Sequence, residues 1–297
     1  MREILELRIN YDYAHLLFGA DEGKDLGQLS KSIKIVELSN DDPRYNQIPI
    51  VSKQVKKKYD KAFYFGWQIK RNYSKKEIDT AVLFQMKIKS TFEPAGEECG
   101  TVYDETTACE ICGANRKQIG SLKLKKGTIP KKDIARTIAG EIVVSEKFAS
   151  AFKQRGLKGT SLEPVVFGKV ASNYYQLIAT NELNLSKNTA VGVDPFDFSE
   201  SSEGVEFSVS GGYPVKFERE IYKCSKGHTI GLNLLSEAYV LNNSSIGESD
   251  FFVSKQKIGV KRGLLRPEPI YFCSQDFRRM VEDEKLSGFE FEITNIE

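Results

Sequence analysis

Apolar and polar residues alternate over much of the first third of the chain, and this alternation predicts β-strands. From Leu5 to Tyr13, every second residue is apolar or aromatic, a pattern typical of a strand with one buried face. Residues 33–38 and the aromatic segment 63–69 predict two more strands, and residues 84–92 predict another. Asp, Asn and two prolines within residues 40–49 indicate irregular structure there.

Two local signals predict short helices. Ser74 is followed three residues later by Glu77, which makes a capping box, so we expect a helix from Lys75 to about Leu83. Pro130 and the two lysines after it have the composition of a helix start, and they predict a helix over residues 130–139.

An internal duplication is indicated by residues 141–163, which align with residues 270–292 at a constant offset of 129. Each copy predicts a short apolar strand that ends in a capping serine, then an amphipathic helix, then a Leu-x-Gly turn into a second strand. We place the two strand–helix–strand repeats at residues 141–166 and 270–293. The aligned pairs are Ser145 with Ser274, Phe148 with Phe277, Leu157 with Leu286, Gly159 with Gly288, and Glu163 with Glu292.

Composition supports a globular protein with two regions. The chain has 297 residues, of which 40% are hydrophobic and 28% charged, and this length suits two domains. Residues 93–120 contain three cysteines and few aliphatic residues, so this segment needs a cross-link to fold. We predict a strand-rich α+β region over residues 1–95 and a zinc-stapled region over residues 96–297. The expected fold class is α+β with mixed or antiparallel sheets.

Charge and hydropathy exclude several classes of protein. No segment approaches the apolar length that crosses a bilayer, so we expect no membrane partner. The N-terminus alternates apolar with charged residues, unlike a signal peptide, and we expect a cytoplasmic protein. Lys and Arg number 43 against 41 Asp and Glu, a balance that argues against a dedicated nucleic-acid-binding protein.

Two short turns carry residues that suit a metal ion. Cys109-Glu-Ile-Cys112-Gly113 has the spacing of a zinc knuckle, with a glycine that permits a tight turn. Cys224-Ser-Lys-Gly-His228 adds a third sulfur and one imidazole. Together Cys109, Cys112, Cys224 and His228 form a tetrahedral set in which protein occupies every position. We therefore predict a structural zinc.

The remaining cysteines have separate interpretations. Cys99 is the alternative fourth ligand in place of His228. Cys273 lies within a predicted strand, where we expect it to be simply buried.

No pattern predicts a catalytic or cofactor-binding residue. The chain has two histidines, His15 and His228, which removes most Ser-His-Asp and Cys-His mechanisms. Walker loops, G-x-G-x-x-G after a strand and G-x-S-x-G are all missing from the sequence. We therefore expect a protein that is not an enzyme. An uncharacterised enzyme is kept as an alternative, after the two binding functions described below.

The order of these motifs resembles the bacterial double-CxxCG-motif proteins, which are grouped with the immunity proteins of polymorphic and contact-dependent toxin systems. The resemblance covers residues 99–297 and rests on the C-x-x-C-G knuckle, the cysteine turn and the two Leu-x-Gly units. It departs at Cys224-x-x-x-His228, where the family has a second C-x-x-C-G. The resemblance implies a non-enzymatic protein that binds and neutralises a cognate toxin or effector.

Charged stretches bear on the choice of partner. Residues 194–206 are acidic and are a candidate surface for a basic toxin, although a solvated loop is the commoner explanation of such a stretch. Basic residues within 53–61, 123–132 and 255–266 keep a second function open, a zinc-ribbon protein that binds nucleic acid through phosphate contacts.

Overall fold

The structure is a computed structural model that describes residues 1–25, 33–196, 207–208, 214–215, 222–242 and 245–297. It divides into two compact units. The smaller unit comprises Met1–Thr80 with a short segment that begins at Asp194, and the larger unit comprises the rest. Among the described residues, no helix has the length and apolar character needed to cross a membrane.

The smaller unit is an antiparallel sheet with helices. Its described elements are β1 (Arg2–Asn10), α1 (Tyr11–Ala14), β2 (Lys24–Asp25), β3 (Ile33–Ser39), α2 (Ile48–Tyr59), β4 (Tyr64–Asn72) and α3 (Lys75–Thr80), with a 3-10 turn at Tyr45–Gln47. The strands lie in the order β2-β3-β1-β4. Leu5, Leu7 and Ile9 are buried in the core of this unit, as the alternation along β1 predicted. The predicted strand is too long, however, because Tyr11 and Tyr13 belong to α1.

Helix α2 lies partly where the sequence indicated irregular structure. It begins at Ile48, within residues 40–49, and Pro49 occupies its first turn, where the missing N–H has no helical partner to lose. Val51 and Val55 join Ile48 in the core of the smaller unit. The opposite side of the helix carries its lysines, which are exposed.

The larger unit is dominated by strands. Its described elements are β5 (Leu83–Ile88), β6 (Thr91–Phe92), β7 (Val102–Asp104), β8 (Lys117–Ile119), β9 (Lys123–Leu124), β10 (Ile134–Thr137), β11 (Ile142–Ser145), α4 (Glu146–Gln154), β12 (Thr160–Phe167), β13 (Val170–Ala179), β14 (Glu182–Leu183), β15 (Val191–Gly192), β16 (Phe207–Ser208), β17 (Pro214–Val215), β18 (Thr229–Gly231), β19 (Asn233–Leu234), β20 (Ala238–Val240), β21 (Phe251–Ile258), β22 (Glu268–Ser274), α5 (Gln275–Asp283) and β23 (Phe289–Ile296), with a 3-10 turn at Glu97–Cys99.

Two main sheets organise the larger unit. One has the order β6-β10-β11-β13-β12-β9, and the other has the order β14-β21-β22-β5-β23-β20 with β18 paired to β21. The long strands pair antiparallel, while β6 with β10, β9 with β12, β14 with β21, β18 with β21, and β20 with β23 are parallel. The predicted α+β class with mixed and antiparallel sheets is confirmed.

The boundary between the units lies after Thr80 and not at residue 95, where the sequence analysis placed it. The reason is β5, which pairs with both β22 and β23 and so belongs to the larger unit. The same strand shortens the preceding helix. The capping box of α3 is present, with the Glu77 N–H donating to Ser74 Oγ at 3.3 Å, but the helix ends at Thr80 because Leu83 already begins β5.

Residues 130–139 contain the strand β10, so the predicted helix there is wrong. Ile134 to Arg136 pair antiparallel with β11. The consecutive residues Ile134 and Ala135 are both buried, at 0% and 1% exposure. A strand covered on both faces shows no alternation, which explains why the helix-like start at Pro130 dominated the sequence pattern.

Both predicted strand–helix–strand segments are present, as β11–α4–β12 and β22–α5–β23. Each helix begins after its predicted serine. Ser145 Oγ accepts from the Phe148 N–H, and Ser274 Oγ accepts from the Phe277 N–H, both at 3.1 Å. The two turns that follow the helices are also equivalent, because Gly159 and Gly288 have φ of +102° and +103°. A Cβ at either glycine would lie within 2.5 Å of a backbone oxygen.

An aspartate before β10 joins the two repeats. Asp133 Oδ1 accepts from the hydroxyl of Ser145 at 2.8 Å, within the first repeat. Its other oxygen accepts from the N–H of Ser287 at 2.7 Å, in the Leu-x-Gly turn of the second repeat. The Asp133 N–H donates in return to Ser287 O at 3.1 Å.

The second repeat makes the reciprocal connection. Asp250, before β21, accepts from the hydroxyl of Ser274 at 2.7 Å and from the N–H of Lys158 at 2.8 Å. Its own N–H donates to Lys158 O at 2.9 Å. Each repeat therefore supplies an aspartate that holds the Leu-x-Gly turn of the other, and the duplicated segment extends back to these aspartates.

The helices of the repeats share an aromatic core. Phe148 and Phe277 are fully buried, and their ring centroids lie 5.8 Å apart. Phe289 of β23 stacks on Phe148 at 5.8 Å. The predicted burial of both phenylalanines is confirmed.

Candidate metal centre

The first cysteine turn lies in the loop that joins β7 to β8. The Cys109 N–H donates to Ala114 O at 2.7 Å, and the Gly113 N–H donates to Cys109 O at 2.8 Å. Gly113 has a φ of +70°, which a glycine adopts without the steric cost of a Cβ. Cys109 and Cys112 are buried, at 7% and 0% exposure. The loop therefore turns both sulfurs inward at the end of a two-stranded ribbon.

The second turn has a similar backbone. The Cys224 N–H donates to Thr229 O, and the Gly227 N–H donates to Cys224 O, both at 2.8 Å. Thr229 begins β18, which pairs with β21. In addition, the Lys257 N–H of β21 donates to His228 O at 2.8 Å. The second turn is thus fixed to the seven-stranded sheet.

The two turns bring all four predicted ligands together. Cys109 Sγ lies 3.9 Å from Cys224 Sγ, and His228 Nδ1 lies 3.9 Å from both Cys112 Sγ and Cys224 Sγ. All four ligand atoms lie within 4.8 Å of one another. Bonds of about 2.3 Å from a tetrahedral zinc ion place neighbouring sulfurs about 3.8 Å apart. The spacing therefore fits one ion held by three thiolates and an imidazole.

The other two cysteines lie elsewhere. Cys99 is in the 3-10 turn Glu97–Cys99, outside the cluster, so His228 and not Cys99 stands beside the three sulfurs. Cys273 is fully buried within β22, as predicted. All five cysteines are free thiols.

The electrostatic environment differs from one sulfur to another. A hydrogen bond from the Cys112 N–H lowers the pKa of the Cys109 thiol below its usual value. Burial raises the pKa of Cys112, and the neighbouring Thr229 hydroxyl opposes that rise. A bound divalent cation stabilises every coordinated thiolate. The donor set is therefore best satisfied electrostatically by a metal ion.

Arg116 anchors the ribbon that carries the first turn, a role that no sequence pattern predicted. Its guanidinium lies 3.9 Å from the centre of the Tyr103 ring. It donates to Glu97 at 2.9 Å and to Glu105 at 3.0 Å. These partners come from the 3-10 turn, β7 and the loop after β7. No local spacing in the sequence therefore predicts these contacts.

Surface contacts join the two turns directly. Lys226 pairs with Glu110 at 3.0 Å, although ion pairs this exposed contribute little. Lys257 Nζ donates to Asn115 Oδ1 at 3.2 Å. The first turn therefore contacts both the second turn and β21.

The predicted acidic partner surface cannot be placed on the fold, since residues 197–206 lie outside the described residues. Asp194 is described, and it accepts a hydrogen bond from the Tyr64 hydroxyl within the smaller unit.

No protein-family model matches the chain, and no curated protein is similar to it in sequence. The Cys/His cluster is able to bind a metal ion, and its four ligands leave no vacant position in a tetrahedral sphere.

Proposed function

We propose that this protein is a cytoplasmic bacterial immunity protein that binds and neutralises a cognate toxin without catalysis, and that its metal is a structural zinc ion. The observation that carries the proposal is the closed ligand set. Cys109, Cys112, Cys224 and His228 fill a tetrahedral sphere, so a zinc ion there has no position for a substrate or an activated water. A metal held in this way acts through the fold.

The cluster also suits a preformed binding surface. It joins the β7–β8 ribbon to the seven-stranded sheet, with Cys109 115 residues from Cys224 and Cys112 116 residues from His228 in the chain. Such a cross-link fixes the ribbon before a partner arrives, which lowers the entropic cost of association.

The ribbon offers an apolar surface for a protein partner. Val102 and Ile119 are directly opposite each other in the β7–β8 pair, and they are 55% and 56% exposed. We infer that this pair contributes to the contact with the partner, since apolar patches on a surface mark interaction sites. The toxin as the class of partner comes from the resemblance of the motifs to the double-CxxCG proteins.

The experiment is co-expression with the product of the adjacent toxin gene, followed by co-purification and a titrated growth assay. We expect a complex of fixed stoichiometry and protection that needs about equal amounts of the two proteins. Ile119→Asp should weaken the complex by at least about tenfold, since it buries a charge in an apolar contact. Val170→Asp is the matched control, because Val170 is also exposed, at 70%, but lies on a different hairpin.

Two outcomes would contradict this function. Protection at far less than one protein per toxin would indicate an enzyme that modifies the toxin or its product. A lack of any complex, with the metal bound and the fold intact, would reject neutralisation by binding.

A second candidate function, nucleic-acid binding, is favoured by the exposed lysines of α2. Lys53, Lys57 and Lys58 are exposed on this helix, and Lys58 lies 5.0 Å from the centre of the exposed Tyr59 ring. Binding of a fluorescent oligonucleotide whose affinity falls steeply with salt, and falls again on Lys57→Glu, would support it. Unchanged fluorescence anisotropy at low salt would reject it.

A further inference from the structure

A cavity of about 410 Å³ lies in the larger unit, between β5, the start of β22 and the loop that joins β21 to β22. Its volume is within the range of small-molecule sites, which is about 300–1,000 Å³. The cavity is separate from the Cys/His cluster, since none of the four ligands lines it.

The loop beside this cavity distinguishes the second repeat from the first. In the first repeat, β10 and β11 are joined by the short turn of residues 138–141. In the second repeat, β21 and β22 are joined by the longer loop of residues 259–267, and its residues Val260 and Leu265 line the cavity. The first repeat shows that this hairpin closes without the added residues, so the longer loop does something other than complete the repeat.

Two polar atoms of residues that line the cavity lack hydrogen-bond partners. Gln85 is only 8% exposed, and its Oε1 is buried without a hydrogen bond. The Nε of Arg266 is likewise buried without a hydrogen bond. Both residues line the same cavity. Buried polar atoms are nearly always satisfied in folded proteins, so two unsatisfied groups at one cavity indicate a ligand that supplies a donor to Gln85 and an acceptor to Arg266.

Arg266 donates through Nη1 to Gly263 O and Leu265 O, but its charge is the least neutralised among the cations that line the cavity. Arg136 pairs with Glu268, and Lys87 pairs with Glu292. Arg266 lies 3.8 Å from Glu105, at the outer limit of an ion pair. An anionic group of a ligand would therefore be attracted to Arg266.

The rest of the lining is mainly apolar. It includes Leu232, Ile258, Val260, Leu265 and Ile270. Tyr271 also lines the cavity, and burial raises the pKa of its hydroxyl to about 12, so it remains protonated at neutral pH.

We propose that this cavity binds a small organic acid with an apolar body and a hydroxyl beside its carboxylate. The carboxylate accepts from Arg266, the hydroxyl donates to Gln85, and the apolar body packs on the aliphatic lining. This site is independent of the proposed toxin binding, because it uses other residues of the larger unit.

The test uses the full chain and three probes: 2-hydroxyoctanoate, octanoate and the neutral octanamide. Binding is measured by isothermal titration calorimetry and by ligand-observed NMR. We expect 2-hydroxyoctanoate to bind most tightly and octanamide to bind at least about tenfold more weakly than octanoate, since a charge-assisted hydrogen bond is lost. Equal affinity of the acid and its amide, or no binding of any probe, would overturn the proposal.

Variants assign the binding to the cavity. Arg266→Gln should weaken both acids about tenfold or more, and Gln85→Met should remove the preference for the hydroxy acid. Val260→Trp, which fills the cavity, should abolish binding of all three probes. Arg262→Gln is the matched control, since Arg262 lies in the same loop but does not line the cavity. Binding that survives Val260→Trp, or that falls equally in Arg262→Gln, would place the acid elsewhere and reject the site.

Discussion

The two repeat helices end at equivalent residues that differ in side chain. Gly156 follows the C-cap of α4 and Lys285 follows the C-cap of α5, with φ of +65° and +50°. A side chain in this left-handed conformation costs about 1–2 kcal/mol relative to glycine. The first repeat therefore has the favourable residue at its helix end, and the second repeat carries strain there.

We expect Lys285→Gly to raise the free energy of unfolding by about 1 kcal/mol, because it removes this strain. Gly156→Ala should lower it by about the same amount. The measurement is chemical denaturation followed by circular dichroism. Lys153→Gly is the control, because glycine inside α4 should cost about 1 kcal/mol. A loss of stability in Lys285→Gly would show that the lysine side chain makes a compensating contact.

A second prediction at this scale concerns Asp133. Burial raises the pKa of Asp133, but hydrogen bonds from Ser287 and Ser145 outweigh this effect and leave the pKa below its usual value. A lowered folded-state pKa stabilises the fold above the unfolded-state pKa of about 3.9 and loses that effect as the pH falls through the folded-state value.

Asp133→Asn should therefore lower the free energy of unfolding at neutral pH by about 0.5–1.5 kcal/mol, because it removes one acceptor from a half-buried hydrogen-bond network. The difference from the wild type should shrink below pH of about 4. Urea denaturation over a pH series is the measurement, with Glu248→Gln, an exposed carboxylate, as the control. A difference that is constant with pH would mean that the charge of Asp133 contributes nothing.

Residues differ in how far their roles could be predicted from the sequence. Ser145 and Ser274 were predictable because a capping serine contacts an amide three residues later. The metal ligands were predictable because each half of the site is a local turn. Asp133 and Arg116 were not, since their partners are brought to them only by the fold. Asp133, for example, contacts Ser287, 154 residues away.

Among the elements, the two repeats stabilise each other. Each Leu-x-Gly turn is held by an aspartate of the other repeat, and the α4 and α5 phenylalanines pack in one core. This reciprocity explains why the helix prediction over residues 130–139 failed. The strand β10 is specified by its pairing with β11 and by the turn of the second repeat that packs on Ile134, and neither is visible in the local sequence.

Phe148→Ala and Phe277→Ala should each lower the free energy of unfolding by about 3–5 kcal/mol, the cost of an emptied aromatic site. Because the two rings are in contact, the double variant should cost less than the sum of the single variants. Denaturation of the four proteins forms the double-mutant cycle. A loss below about 1 kcal/mol for both single variants would show that this shared core does not stabilise the repeats.

At the scale of the whole molecule, the Cys/His cluster is the longest-range connection in the larger unit that the sequence predicted. We expect one zinc ion per chain by elemental analysis of protein purified without chelators. Cys112→Ser should reduce the metal content to below about half an equivalent, because a three-ligand site binds zinc much more weakly. Cys99→Ser is the control and should retain the full content. Loss of metal in Cys99→Ser would contradict the ligand set.

Because the chain divides into two units, the metal is expected to stabilise only the unit that contains its ligands. Trp67 is the one tryptophan of the chain, and it packs against the core of the smaller unit. Tryptophan fluorescence therefore reports the unfolding of the smaller unit, while circular dichroism is dominated by the many strands of the larger one. The metal ligands all belong to the larger unit.

Chelation should lower the denaturation midpoint seen by circular dichroism and leave the midpoint seen by Trp67 fluorescence unchanged. The cluster closes a loop of more than about 100 residues, and a cross-link of that span restricts the unfolded chain by about 4–5 kcal/mol. Cys112→Ser without chelator should reproduce the separation of the two midpoints, and Cys99→Ser should not. A Trp67 transition that shifts together with the circular dichroism would show that the two units unfold as one, and that the metal stabilises the entire chain.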